Sequence, residues 1–303
     1  MNPTILITGS AGLVGTALLS MFQTRGYRVR PLDLREPDPR LRADARDPQV
    51  VQEALVGCVG VIHLAAVSRV IWGERDPEGC RTTNIGGTRN VLDAALDAAQ
   101  RPWLIFASSR EVYGQPKEFP ATEDTRLDPI NVYGHTKIAG ERLVAAACDR
   151  GLRGAIVRLS NVYGSAADHH DRVVPAFVRA AVSGQPLRVE GANHTFDFTH
   201  VDDTARGIAA LAGLLAAGHP PPPPIHLLTG TPTTLAELAA LAIELADTRA
   251  PVTHAPPRNF DVAHFHGSPE RARQLLDWSP RVSLRDGLAR LVTAVRAEME
   301  GAA

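Results

Sequence analysis

Short apolar runs alternate with longer amphipathic segments through the first half of the chain. Apolar residues dominate five runs, at residues 4–8, 28–32, 61–65, 103–108 and 155–160. Strands covered by helices on both faces have this composition, because neither face meets water. Segments with helical spacing, such as residues 13–24 and 84–99, separate the runs. The alternation predicts an α/β fold with a doubly wound parallel sheet.

The pattern loosens after about residue 165. Helices are predicted at about 174–183, 235–246 and 284–300, and short strands at 187–189 and 225–228. We therefore predict two domains. Residues 1–164 hold the parallel sheet, with contributions from about 195–230. Residues 165–303 form mainly a smaller C-terminal α/β region that binds the substrate.

Composition narrows the classes of function. The 303 residues carry a net charge of -1 and show no basic stripe, so nucleic-acid binding has no electrostatic support. The cysteines at 58, 80 and 148 lack metal-ligand spacing, residues 168–171 are interpreted as a loop, and no metal is expected. No apolar run reaches the roughly 20 residues of a membrane span, and the first residues do not resemble a signal peptide. A soluble cytoplasmic protein is expected.

A glycine motif follows the first predicted strand and opens the helix at 13–24. Gly9, Gly12 and Gly15 would let the backbone approach a pyrophosphate, whose charge the free N–H groups of the helix N-terminus favour. Asp33 ends the second strand near the spacing expected for a carboxylate on the adenine ribose. A carboxylate there repels a 2′-phosphate, so a Rossmann-type site for NAD is predicted. Arg35, two residues later, weakens the preference over NADP.

Tyr133 and Lys137 lie four residues apart in a predicted helix over residues 132–149, so they share one helix face. Alcohol oxidation needs a base that takes the hydroxyl proton as hydride leaves carbon. A tyrosine pKa near 10 must fall by about 3 units, or about 4 kcal/mol, to act near pH 7. An ammonium about 5 Å away supplies about 3 kcal/mol at an effective dielectric constant of 20. Lys137 is therefore predicted to lower the pKa of Tyr133. Ser109, at the carboxyl edge of the preceding strand, is predicted to hold the substrate oxygen.

Further motifs follow in the order typical of one enzyme family. They lie at residues 8–15, 63–66, 84–88, 106–114, 133–137, 158–164, 198–203, 258–262 and 276–280. On these motifs the chain resembles the extended short-chain dehydrogenase/reductase superfamily, and within it the NAD-dependent nucleotide-sugar epimerase/dehydratase family. The resemblance runs from about residue 4 to residue 291.

The resemblance implies a set of site residues. The catalytic group is Ser109, Tyr133 and Lys137. The residues alone leave the role of Asp44 open, and the resemblance implies that it contacts the adenine. The implied cofactor contacts are Gly9, Gly12, Leu13, Val14, Gly15, Asp33, Leu34, Asp44, Ala45, Leu64, Ala65, Ala66, Ala107, Tyr133 and Lys137. The implied substrate contacts are Ser68, Ser109, Arg110, Glu111, Asn161, Arg172, Val173, Phe196 and Arg258.

Two departures from the family pattern bear on the substrate. Members that eliminate water carry an Asp-Glu pair after the catalytic hydroxyl, whereas this chain has Arg110 and Glu111, which argues against dehydration. Glu111 resembles the glutamate of nucleotide-sugar decarboxylases. Phe196 stands where the family carries an arginine on the substrate diphosphate. Either Arg258 or Arg172 compensates, or the substrate differs.

The resemblance implies an NAD-dependent 4-epimerase that acts on a UDP-hexose such as UDP-glucose or UDP-galactose. Decarboxylation of a UDP-uronic acid, net reduction with cofactor release, and a dinucleotide sensor without turnover remain alternatives. The pairing of Tyr133 with Lys137 argues against the sensor, since sensors on this fold typically lose it. A homodimer through the helices predicted at 84–99 and 132–149 is also implied.

Overall fold

The computed structural model describes residues 2–301. The buried apolar runs form strands, and the amphipathic segments form the helices around them. The strands are β1 Thr4–Thr8, β2 Arg28–Leu32, β3 Cys58–His63, β4 Trp103–Ser109, β5 Gly154–Leu159, β6 Asn161–Tyr163, β7 Leu187–Glu190, β8 Thr195–His200, β9 Ile225–Leu227, β10 Pro232–Thr234 and β11 Val252–Ala255. The helices are α1 Leu13–Thr24, α2 Pro48–Leu55, α3 Val70–Arg75, α4 Pro77–Arg81, α5 Gly87–Asp97, α6 Val132–Asp149, α7 Val173–Val182, α8 Val201–Ala216, α9 Leu235–Ala246, α10 Glu270–Leu276 and α11 Leu284–Gly301.

A parallel sheet of six strands, in the order β2-β1-β3-β4-β5-β9, forms the centre of the molecule. The chain moves outward in one direction from β1 to β2 and in the other from β3 to β9. The order reverses between β1 and β3, and open α/β sheets bind ligands in the crevice at such a point. The predicted fold class, a Rossmann-type doubly wound parallel sheet, is confirmed.

Helices cover both faces of this sheet. α1 and α8 pack on one face, over a core that includes Ile5, Leu18 and Ile208. α2, α5 and α6 pack on the other, over a core that includes Leu6 and Val144. The two covers explain why the strands carry so few polar residues.

A second apolar core lies in the C-terminal part, among α7, α9 and α11. β7 and β11 pair in parallel beside it, and β8 pairs with β6 and β10 in a sheet of three strands. From the stretch 195–230, α8 and β9 complete the large sheet and its cover, whereas β8 joins the small sheet. A domain boundary after residue 164 stays a prediction, and two of the residues assigned to the second domain, 302 and 303, lie outside the described part.

The predicted helix at 84–99 differs from the observed one. The chain is helical from Pro77, makes a π-helical turn at Thr82–Gly86, and continues as α5 to Asp97. The wider turn places Asn84 in the interior, where its amide oxygen accepts from the N–H of Val67 at 2.7 Å. Its Nδ2 donates to Thr136 Oγ1 of α6 at 2.9 Å. The long-range partners of Asn84 therefore account for a turn that helical spacing did not predict.

Candidate active site

A cavity of about 1140 Å³ runs along the carboxyl edge of the sheet. Its lining comes from the loops after β1, β2, β3 and β4, from α6, from the 165–172 loop and from residues of the C-terminal core. Every residue that the sequence analysis assigned to catalysis, cofactor or substrate lines this cavity. The structure thus brings together residues that span positions 9 to 258, and their binding roles remain predictions.

The three glycines of the first loop have different geometric roles. Gly9 adopts a φ of 72°, and a Cβ there would lie 2.7 Å from the backbone nitrogen of Ala65. A Cβ on Gly15 would lie 2.3 Å from the Gly9 carbonyl oxygen, so only glycine lets α1 pack against the loop. Gly12 borders the cavity and has no side chain to cap the first N–H groups of α1. Its bare backbone leaves these donors available to a phosphate.

Asp33 forms a hydrogen bond with the glycine loop. Its carboxylate is nearly buried and accepts from the N–H of Ala11 at 3.1 Å and from the N–H of Arg35 at 2.8 Å. The Arg35 guanidinium is half-exposed, with Nε 3.7 Å from this carboxylate. A ribose contact for Asp33 stays a prediction. Asp44 lies farther along the cavity and pairs with Arg46, and this hydrogen bond lowers the pKa of the Asp44 carboxyl.

α6 carries the predicted base and its lysine, and the start of this helix is tightly held. Asn131 caps the helix by accepting from the N–H of Gly134 at 2.8 Å, while Glu74 accepts from the N–H of Val132 at 2.8 Å. Both Tyr133 and Lys137 are buried. The ammonium of Lys137 lies 5.6 Å from the centre of the Tyr133 ring, so the two groups meet on one helix face as predicted.

The electrostatics of this pair differ from the expectation. Burial raises the pKa of Tyr133 above its ordinary value, and the nearby Ser109 hydroxyl opposes this only in part. Burial also lowers the pKa of Lys137 to about 8. The Lys137 ammonium donates to the carbonyl oxygen of Ala107 at 2.8 Å. Burial thus acts on the pKa of Tyr133 in the direction opposite to the predicted lowering, and it outweighs the hydrogen bond with Ser109.

A buried ion pair lies beside the predicted catalytic residues and connects β5 with α6. Arg158 on β5 binds both carboxylate oxygens of Glu141 on α6, at 2.9 and 2.7 Å. Glu141 also accepts from the hydroxyl of Ser108 at 2.5 Å. Glu141 lies one turn beyond Lys137 in α6, and Ser108 precedes Ser109 at the end of β4. The pair therefore fixes the two elements that carry the reacting groups relative to each other.

The two residues that depart from the family pattern lie in contact. The guanidinium of Arg110 lies 4.6 Å from the ring centre of Phe196. Arg110 also pairs with Glu111 at 2.9 Å and donates from Nε to the side-chain oxygen of Asn161 at 2.8 Å. Glu111 accepts in addition from Asn131 at 2.7 Å. These contacts hold a cation and a carboxylate in fixed positions directly after Ser109.

The other two predicted arginines are already paired. Arg172 lies 3.5 Å from Asp168 and donates to Ser68 Oγ at 3.1 Å. Arg258 donates to the Asp261 carboxylate at 2.8 Å. Each lines the cavity with an acidic partner at hand. Their predicted part in replacing an arginine at position 196 stays a prediction.

The 165–172 loop is attached to the opposite side of the cavity. Arg69 forms an ion pair with the Asp171 carboxylate and donates to the Asp171 carbonyl oxygen at 3.1 Å. His169 meets Arg35 at 3.4 Å and contacts the edge of Trp72, with ring centres 4.9 Å apart. No group of three or more His, Cys, Asp or Glu residues within 2–301 is arranged to bind a metal ion. The side chains of this loop instead connect it to Arg35, Arg69 and Trp72.

Several residues of the site were missed from the sequence. Asn131 had a local signal, because an asparagine directly before a predicted helix is a preferred N-cap. Glu141 had a weaker one, since it continues the four-residue spacing of Tyr133 and Lys137 on one helix face. Glu74 and Arg69 had none, because their partners lie 58 and 102 residues away.

Comparisons with known proteins agree with this geometry. The profile of the NAD dependent epimerase/dehydratase family matches residues 5–222. UDP-glucose 4-epimerase of Mycolicibacterium smegmatis is 28% identical over 317 residues, covering 96% of this chain and 98% of that protein. UDP-glucuronic acid decarboxylase 1 of Arabidopsis thaliana is 30% identical over 312 residues, covering 96% and 69%. The solved structure of MoeE5 in complex with UDP-glucose and NAD matches with a TM-score of 0.90 at 27% identity, covering 98% and 99%.

The glycine loop, the parallel sheet and the cavity at its carboxyl edge define a dinucleotide-binding α/β enzyme. The chain belongs to the NAD dependent epimerase/dehydratase family. The resemblance inferred from its motifs is therefore confirmed, and NAD is its cofactor. The site fits this cofactor, because Gly12 exposes the start of α1 to the cavity and Gly9 and Gly15 are packed too closely for any side chain.

Proposed function

We propose that the protein is a nucleotide-sugar 4-epimerase that acts on a UDP-hexose. The observation that carries this proposal is the convergence of Ser109, Tyr133 and Lys137 beside the glycine loop in one cavity. Relatives named as UDP-glucose 4-epimerases align over nearly the whole chain and support the choice of substrate.

In the proposed reaction the glycine loop would hold NAD, which would supply the hydride acceptor and donor for oxidation and reduction at C4 of the sugar. Tyr133 takes the proton of the 4-hydroxyl as the 4-keto sugar forms. It gives the proton back after the sugar has rotated in its pocket and presents its opposite face to the hydride. Ser109 holds the reacting oxygen. Lys137 positions the cofactor and favours the phenolate of Tyr133. Because burial raises the pKa of Tyr133, this role of Lys137 acts against the desolvation of the phenolate.

A first prediction concerns Tyr133→Phe, which removes the phenol oxygen and keeps the ring. Turnover should fall by about 10²–10⁴-fold, the usual contribution of a positioned acid–base group. Bound NAD, read from the absorbance of the purified protein, should remain. Incubation with UDP-, dTDP- and GDP-sugars, followed by NMR of the products, identifies the substrate. Unchanged turnover in the variant would rule out this base, and no turnover of any sugar by the wild type would favour a sensor.

Decarboxylation of a UDP-uronic acid is the second candidate. The observation in its favour is Glu111, which lines the cavity next to Ser109 and is held by Arg110 and Asn131. A relative named as a UDP-glucuronic acid decarboxylase is 30% identical. Release of carbon dioxide and a UDP-pentose from UDP-glucuronate would select this reaction over epimerisation.

We also propose a homodimer in the cytoplasm. α5 and α6 pack side by side, and Leu92, Leu96 and Leu143 line a shallow groove on their outer side that a second copy would cover. The three cysteines are free, as thiols are in a reducing compartment. Within residues 2–301, the helices lack the length and apolar character needed to cross a membrane.

A further inference from the structure

Arg110 has unused hydrogen-bonding capacity inside the cavity. It is 8% exposed, and it follows Ser109 in the chain. Its Nε and Nη2 donate to Asn161 and Glu111, at 2.8 and 2.9 Å. Its Nη1 is buried and has no hydrogen-bond partner among residues 2–301. A buried donor without an acceptor is destabilising, so folded proteins normally supply one.

The side chain is held rigidly in this position. Phe196 packs on the guanidinium at 4.6 Å and Phe265 at 5.8 Å, both within the range of cation–π attraction. A guanidinium stays charged at every ordinary pH, so burial cannot neutralise it. Because the planar group is already fixed, the Arg110 side chain loses little additional conformational entropy when a ligand binds it.

The charge of Arg110 is balanced by a single carboxylate among residues 2–301. This carboxylate, of Glu111, also accepts from the amide of Asn131. Arg172 and Arg258 line the same cavity, and each lies against an aspartate. Arg110 therefore combines a fixed charge, a free donor and a place beside the catalytic hydroxyl. Oxygen atoms of an anionic group are the acceptors that such a guanidinium binds best.

We propose that Arg110 is a specificity-determining residue that binds an anionic group of the sugar nucleotide. The group is either a carboxylate on the sugar or the phosphate next to the sugar, and both offer two oxygens to a guanidinium. The inference rests on the proposed function as a nucleotide-sugar enzyme. It adds that the substrate is recognised through charge at Arg110 and not through the neutral hydroxyl groups of the sugar alone.

The test compares two variants that differ only at position 110. Removing Arg110 alone would leave Glu111 as an unpaired buried charge that repels anions. We therefore compare Glu111→Gln with the double variant Arg110→Met, Glu111→Gln, because residue 111 is neutral in both. The NAD-loaded proteins are titrated calorimetrically with UDP, UDP-glucose and UDP-glucuronate. Thermal unfolding and bound NAD establish that each variant is folded.

A sugar carboxylate at Arg110 predicts that the double variant binds UDP-glucuronate about 10- to 100-fold more weakly than Glu111→Gln does, the range for a charge-assisted hydrogen bond. UDP and UDP-glucose would be unaffected. A phosphate at Arg110 predicts an equal loss for all three ligands, and Phe196→Arg added to the double variant should then restore binding. If the two variants bind each of the three ligands with the same affinity, the proposal is overturned and the proposed function stays intact. Failure of the wild type to bind any of them would overturn both.

Discussion

Tyr133 and Lys137 show how burial and charge oppose each other within one site. The same burial that keeps water from the reacting atoms raises the pKa of the tyrosine and lowers that of the lysine to about 8. Both shifts favour the neutral forms, because a low dielectric surrounding penalises either charge. The fold therefore places the pair where desolvation opposes both charged forms.

This gives a prediction for stability against pH. Lys137 has a folded-state pKa near 8 and an ordinary value of 10.5. Between these values the unfolded chain binds one more proton, so the free energy of unfolding rises with pH in this window. For wild type relative to Lys137→Met, the rise from pH 8 to 10.5 should be about 3 kcal/mol. Denaturant unfolding of the cofactor-free proteins at several pH values measures it, and a difference independent of pH would show that the lysine is not desolvated.

At the scale of single residues, the sequence correctly placed the candidate side chains. Spacing placed Tyr133 and Lys137 on one face, and the position of Ser109 after an apolar strand placed it at the ligand-binding edge. The raised pKa of Tyr133 could not be predicted, because its desolvation depends on packing by distant elements. Arg110 against Phe196 was also beyond reach, since the two positions are brought together only by the fold.

At the scale of elements, the helices that carry the site were predicted closely. α1 begins at Leu13 and ends at Thr24, and α6 spans Val132–Asp149, as the pattern indicated. Their bounds follow from local signals: glycines before α1, and the Asn131 cap before α6. The π-helical turn at Thr82–Gly86 was missed because its cause, the bonds of Asn84 to Val67 and Thr136, is not local.

The 165–172 loop gives a prediction at this scale. The ion pair of Arg69 with Asp171 attaches the loop across the cavity, so Arg69→Ala should loosen it and speed the release of bound cofactor. A partly exposed ion pair contributes about 1 kcal/mol at most, which corresponds to release that is up to about fivefold faster. The rate is read from the loss of NADH fluorescence when excess NAD displaces bound NADH.

Arg81→Ala is the matched control for this variant. Arg81 forms an exposed pair with Glu78 on α4 and does not line the cavity. Its loss should leave the release rate unchanged. Equal acceleration in both variants would mean that the loop does not hold the cofactor and that the effect comes from net charge alone.

At the scale of the whole molecule, chain order and spatial order diverge. α8 and β9 follow the start of the C-terminal region in sequence, yet they complete the large sheet and cover one face of it. Leu211 and Leu215 of α8 are fully buried in the same core as Ile5, Leu18 and Phe22. The N-terminal sheet therefore depends on residues well beyond position 164.

A fragment of residues 1–164 tests this dependence. Without α8 the fragment would expose the apolar surface of α1 and of the sheet that α8 covers in the full chain. Burial of each large side chain contributes about 1.5–3 kcal/mol. We expect the fragment to lack a cooperative thermal transition and near-ultraviolet circular dichroism, with the full chain as control. A fragment that unfolds cooperatively and binds NAD would instead establish residues 1–164 as an independent domain.

The sequence by itself determined the fold class, the bounds of α1 and α6, and the family with its NAD cofactor. These features depend on periodicity and on spacings of a few residues, which act through neighbouring backbone groups. The tertiary structure alone decided the desolvation of Tyr133 and Lys137, the contact of Arg110 with Phe196, the attachment of the 165–172 loop and the return of α8 to the first sheet. Each of these arises from side chains tens to hundreds of residues apart, whose separation in space depends on how the whole core packs.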